Sequence, residues 1–187
     1  MNETIASDSS PAGHTDYQEV SIGRGPRLAL AAGLAVISLY LIDSVDGRLF
    51  LNSSLSQLEL FLVPLTGYAA NTYAHERLHY EAFEFQGLDA LYIRPTAVAA
   101  LYQDVEEREA VISLLAPQLI SPLYIALIFI ISNPVLIAVL SWALLLNVVG
   151  ATDDLLWTGH RLRWPEGTVM LTTLEPTNYV AFPESAE

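Results

Sequence analysis

The chain contains no cysteine and no lysine. Without cysteine there can be no disulfide, no thiolate metal site and no cysteine nucleophile, so any metal must be held by histidine and carboxylates. Without lysine, the 8 basic side chains are all arginine; they face 21 acidic ones, and the formal net charge is -13. A chain of that sign has little with which to neutralise phosphates, which argues against nucleic acid as a partner. Its acidity resembles that of salt-adapted proteins. Polar chain is also scarce, since 52% of the residues are hydrophobic. The apolar residues collect in blocks of about 20, enough for a helix to cross ~30 Å of hydrocarbon. Too little polar chain remains for a separate soluble domain of any size.

The expected architecture is mainly α, a four-helix polytopic membrane protein. Residues 1–23 are polar, lack apolar periodicity and read as a disordered acidic tail. Because this tail precedes the first apolar block, no signal peptide is expected. A membrane domain over residues 24–159 carries spans at about 28–43, 57–80, 106–131 and 134–157. Ser56-Gln57-Leu58-Glu59 and Asp104-Val105-Glu106-Glu107 are capping patterns that open the second and third helices. Asn133-Pro134 supplies an N-cap and a first-turn proline for the fourth. Pro117 and Pro122 should kink the third helix near its start. Leu91–Pro95 and Ala97–Tyr102 are short β-compatible runs after the second helix, separated by a Pro-Thr turn signal, though an ordinary loop would also account for them. Residues 160–187 form a C-terminal tail with a small β-like appendage, built from Thr168–Leu174 and Tyr179–Phe182 around the turn Glu175-Pro176-Thr177. With four spans, seven arginines share one side and Arg48 alone is opposite, which puts both termini in the cytoplasm and the protein, multi-pass, in the cell membrane.

The stretch that carries chemistry is His75-Glu76-Arg77-Leu78-His79, at the end of the second apolar block. His-Glu-x-x-His on a helix puts both imidazoles on one face, one turn apart, where they can hold one ion. Zn2+ suits this donor set and keeps a coordination position open for water. Glu76 follows the first ligand, where its carboxylate can take a proton from a water whose pKa the metal lowers towards ~7. Ionisable side chains beside a membrane-type segment are costly unless they pair or bind something.

The third ligand must come from elsewhere. The fourth helix carries Asn147, Gly150, Asp153 and Asp154 among apolar residues. His75 lies roughly 27 Å along the second helix and Asp154 roughly 30 Å along the fourth, so both fall at a similar depth. Asn147, Gly150 and Asp154 share a stripe, with Asp153 turned about 100° away. That geometry selects Asp154 as the ligand and leaves Asp153 as an outer or surface carboxylate. The competing reading has both aspartates capping the following turn. Gly150 would let the stripe approach a neighbouring helix closely.

These motifs, with Leu115-Ala116-Pro117, resemble the small zincin peptidase membrane family, which is related to the site-2 protease type of intramembrane metallopeptidase. The resemblance covers about residues 28–182. It implies zinc on two histidines and one aspartate, with Glu76 as general base. The match departs from site-2 proteases, which have an Asn-x-x-Pro-type sequence before an Asp-Gly pair where this chain has Gly150 and Asp154-Leu155.

The expected function is therefore an integral-membrane zinc metallopeptidase acting on a membrane protein or peptide in or near the lipid bilayer. Asn147 is a candidate for positioning substrate or stabilising an oxyanion. The alternative is a non-catalytic metal-binding or structural membrane protein, or a small transporter subunit. A transporter would string polar residues along the bilayer depth, whereas here they gather near one face; a structural role leaves Glu76 without a task.

Overall fold

The computed structural model describes residues 10–46, 55–173 and 178–184. Residues 1–9 of the expected tail, Arg48 and the turn Glu175-Pro176-Thr177 lie outside them. The protein is mainly helical, with two small sheets. In chain order the elements are β1 (Gln18–Val20), α1 (Arg24–Asp46), α2 (Gln57–Phe85), β2 (Ala90–Arg94), β3 (Ala97–Ala100), β4 (Asp104–Glu106), α3 (Glu107–Leu115), a 3-10 turn (Ala116–Leu119), α4 (Ile120–Ile130), α5 (Pro134–Gly150), α6 (Thr152–Arg161), β5 (Val169–Thr172) and β6 (Asn178–Ala181).

Local chemistry explains most helix ends. The Ser56 hydroxyl accepts from the Glu59 N–H while Glu59 returns a bond to the Ser56 N–H, a complete capping box that starts α2. Asn133 caps α5, with Pro134 in its first turn. The third helix starts at Glu107, within a residue of the expected place, though its cap differs from the pattern read in the sequence. Asp104–Glu106 extends as β4, and Glu106 is the N-cap, bonded through its N–H to Glu109. Pro117 and Pro122 divide this rod into α3, a 3-10 turn and α4, because a proline in a helix removes one backbone donor and crowds the preceding turn. Ala151 interrupts the fourth rod between α5 and α6.

The four expected spans differ in apolarity. Among the described residues, two helical rods are long and apolar enough to cross a membrane: Glu107–Ile130, of mean hydropathy 2.0, and Pro134–Arg161, of mean hydropathy 2.2. Helix α2 is diluted by Glu59, Thr66, Asn71, Thr72 and the His-Glu-x-x-His residues. Helix α1 has charged residues at both ends of a short apolar stretch.

Helix α2 packs chiefly on α5. Gly67 makes the close approach: a Cβ there would lie 2.8 Å from Trp142 Cβ and 2.9 Å from the Val139 carbonyl. Leu55, Val63 and Ala138 are buried beside it. Gly150, expected to serve this purpose, has nothing within 4 Å of its Cβ position. The stripe on α5 faces α2, but Gly150 itself is beyond the contact.

The termini are more organised than the sequence suggests. Strands β1, β6, β5 and β4 form one antiparallel sheet in that spatial order, joining the supposed N-terminal tail to the expected C-terminal hairpin. Thr15 exchanges bonds with Phe182 through its backbone N–H and its hydroxyl. The Tyr17 hydroxyl donates to Asp104, and burial together with that carboxylate pushes the hydroxyl's pKa up. The second sheet is the β2–β3 hairpin, held to α2 by Tyr92 stacked on Tyr80 at 5.4 Å.

Candidate metal centre

His75 and His79 lie on consecutive turns of α2 and are 8% and 7% exposed, facing inward from a helix that is mostly exposed on its other side. Each ring is aimed by a bond at Nδ1. His75 Nδ1 donates to Asn147 Oδ1 at 2.9 Å. The orientation of that amide is fixed, since Asn147 Nδ2 donates to the Pro117 carbonyl at 3.3 Å and to Ser121 Oγ at 2.9 Å. His79 Nδ1 donates to the backbone carbonyl of Ser113 at 2.7 Å, an atom that can only accept. With Nδ1 donating in each ring, the neutral imidazoles present their Nε2 lone pairs to each other and to Asp154.

The Ser113 carbonyl is available for a reason legible in the chain. In a continuous helix it would receive the N–H of residue 117, and residue 117 is proline. The Ala116-Pro117 pair therefore frees an acceptor for His79, and the Pro117 carbonyl itself holds Asn147. Gln86 ties the far end of α2 to the same place, donating to Ser113 Oγ at 2.8 Å and to the Glu109 carbonyl at 3.2 Å.

The two Nε2 atoms are 3.2 Å apart. Asp154, near the start of α6, brings Oδ2 to 3.3 Å from His75 Nε2 and Oδ1 to 3.5 Å from His79 Nε2. Three electron-rich groups converge, and buried Asp154 Oδ2 has no hydrogen-bond partner. Such a cluster repels itself unless a cation or proton lies between its members. Tetrahedral bonds of ~2.0–2.1 Å give ligand-to-ligand edges of about 3.3–3.4 Å, so the spacing suits zinc. His75, His79 and Asp154 are the one group among the described residues that could hold a metal ion.

Asp153 is turned outward and pairs with Arg27 of α1 at 3.0 Å. Asn147 is fully buried behind His75 with its amide engaged on both atoms, so it aims a ligand and has no group free to meet an oxyanion. Glu76 is half-buried, and its carboxylate meets the backbone N–H of Val98 on β3. A cavity of about 260 Å³ opens beside His75 and Glu76, lined also by Tyr68, Asn71, Thr72, Thr96, Leu146, Val149 and Gly150. A larger one of about 900 Å³, lined by His14, Arg108, Trp164 and Glu166 among others, contains none of the candidate ligands. His14 Nε2 donates there to the Gly167 carbonyl at 2.8 Å, and His160 packs between Trp157 and Trp164.

Sequence reasoning missed the Ser113 carbonyl, Gly67 and the Glu76–Val98 contact. The first could have been found by counting four residues back from Pro117; the other two depend on which helices and strands become neighbours. Compared with protein-family models, curated proteins and solved structures, the chain matches none.

Proposed function

We propose that the protein is an integral-membrane, zinc-dependent metallopeptidase that hydrolyses peptide bonds in or near the bilayer. The observation that carries this reading is the convergence of two Nε2 lone pairs and a partnerless carboxylate oxygen beside Glu76 and an open cavity. His75, His79 and Asp154 would hold the ion, which there would supply the acidity to activate water and polarise a carbonyl.

The remaining work falls to the chain itself. Glu76 takes the proton of the attacking water and passes it to the leaving amine. Strand β3 packs against α2, the helix that carries Glu76, with the Val98 N–H on the side of that carboxylate. Strand β3 pairs only with β2 in its two-stranded sheet. An extended substrate can add along its open edge, which exposes a peptide bond that a helix would hide. Asn147 and the Ser113 carbonyl keep the imidazoles in the tautomer a metal requires.

The membrane setting is part of the proposal: four spans, both termini cytoplasmic, in the cell membrane. Beyond the two apolar rods, α1 and α2 expose Leu28, Val36, Ile37, Phe61 and Leu65, a surface that lipid would cover. Arg27 pairs with Asp153 of α6, the helix that also carries Arg161; under the positive-inside rule, arginines on one side would favour the cytoplasmic assignment.

The test is Glu76→Gln. Membranes containing wild-type protein are expected to yield new protein N-termini on proteomic labelling, and membranes containing the zinc-loaded variant none. A non-catalytic metal protein would give identical patterns with both.

A further inference from the structure

The cavity beside the metal ligands mixes two kinds of lining. Asn71, Thr72, His75, Glu76 and Thr96 bring polar groups to it, Tyr68, Leu146 and Val149 bring apolar surface, and Gly150 completes the wall. Its volume of about 260 Å³ is far above the ~10–15 Å³ that admits one water. A mostly apolar hollow with a few polar groups is the usual form of a site that receives an organic ligand.

Gly150 lies in the wall of this cavity, and like Gly25, Gly33 and Gly159 it has neither a positive φ nor a close neighbour. It is the last residue of α5, with no positive φ, so its backbone is open to any residue. A Cβ there would meet nothing within 4 Å, so no helix needs its closeness, in contrast to Gly67. What the absent side chain provides is room next to the candidate ligands.

We propose that the Gly150 side of this cavity is a substrate subsite that receives one bulky apolar side chain, of the leucine or phenylalanine type, from the residue beside the scissile bond, and that Gly150 sets its size limit. The inference rests on the peptidase reading above. With a peptide carbonyl held beside Glu76, the adjoining side chain would have the apolar lining of Leu146 and Val149 to pack against. An apolar side chain arriving from lipid gains little from transfer as such, so selection here is by shape and dispersion contact more than by hydrophobicity. Filling the hollow should therefore reverse the preference.

The experiment uses the full chain, zinc-loaded in lipid nanodiscs, and calorimetric titration with three probes: acetohydroxamate, N-acetylglycine hydroxamate and N-acetylleucine hydroxamate. The wild type is expected to bind the leucine compound at least about tenfold tighter than the glycine compound. Gly150→Leu should erase or reverse that ratio while still binding zinc and acetohydroxamate. Gly150→Val, a smaller filling, should give an intermediate ratio and serves if the leucine variant folds poorly. Equal affinities in the wild type, or an unchanged ratio in either variant that still binds acetohydroxamate, would overturn the subsite. Failure of the wild type to bind zinc or acetohydroxamate would instead overturn the metal-centre reading, and the subsite with it.

Discussion

Replacing Pro117 by alanine puts a backbone N–H four residues after Ser113, where the proline ring has none. The Ser113 carbonyl now accepts His79 Nδ1 at 2.7 Å, and the helix around it stops at Leu115 before a 3-10 turn. The new donor would compete for the same oxygen. A carbonyl has two lone pairs, so His79 is weakened rather than released. Losing an outer partner of a metal-binding histidine typically lowers affinity 10–100-fold. Sharing puts the expected loss near the lower end, about tenfold or ~1.4 kcal/mol. Helix content of the metal-free protein should meanwhile stay level or rise, because a proline has left a helical rod. The two readouts thus move apart, which a general loss of fold cannot imitate. Chelator competition in detergent measures the first and circular dichroism the second. Pro122→Ala is the control, since the carbonyl four residues before it belongs to Gln118, which holds no ligand. Unchanged zinc affinity in Pro117→Ala, or an equal loss in Pro122→Ala, would refute the reasoning.

Asp154→Asn should weaken zinc binding beyond the ~100-fold upper end seen for outer partners. Asp153→Asn, which breaks an exposed pair worth ~0–1 kcal/mol, should barely change it, and the reverse order in a zinc titration would refute the ligand choice. Gly67→Ala must part α2 from α5, since neither Trp142 Cβ nor the Val139 carbonyl can move without its helix. It should cost ~1–3 kcal/mol in an unfolding titration and lower zinc affinity, because α2 carries both histidines and α5 carries Asn147. Val98→Pro removes the backbone donor that meets Glu76 and a peptide group of the β3 edge. Cleavage should fall while zinc stoichiometry holds; unchanged turnover would dismiss the hairpin's role.

What was legible in the sequence was what is local and periodic. The helical period alone put His75 and His79 on one face and separated Asp154 from Asp153, and the structure brings the first three together. The capping box at Ser56 and the Asn133-Pro134 start needed only neighbouring residues. What failed depends on distant partners. Strand β1 is three residues long, largely exposed, and becomes a strand only because β6, about 160 residues away, completes its ladder. Gly150 and Gly67 look alike in sequence, and only the crossing of α2 over α5 decides which is needed for contact. Asn147 was recognised as part of the site, but its task follows from Pro117 and Ser121, on a different rod.

The central claim is that His75, His79 and Asp154 hold one metal ion. Its most direct test is the zinc-to-protein ratio of purified, zinc-loaded and buffer-exchanged protein, measured by mass spectrometry of the element beside the His75→Ala and His79→Ala variants. About one zinc per wild-type chain and almost none in either variant is the expected result. A wild-type ratio near zero, or a ratio that survives the loss of either histidine, would contradict it.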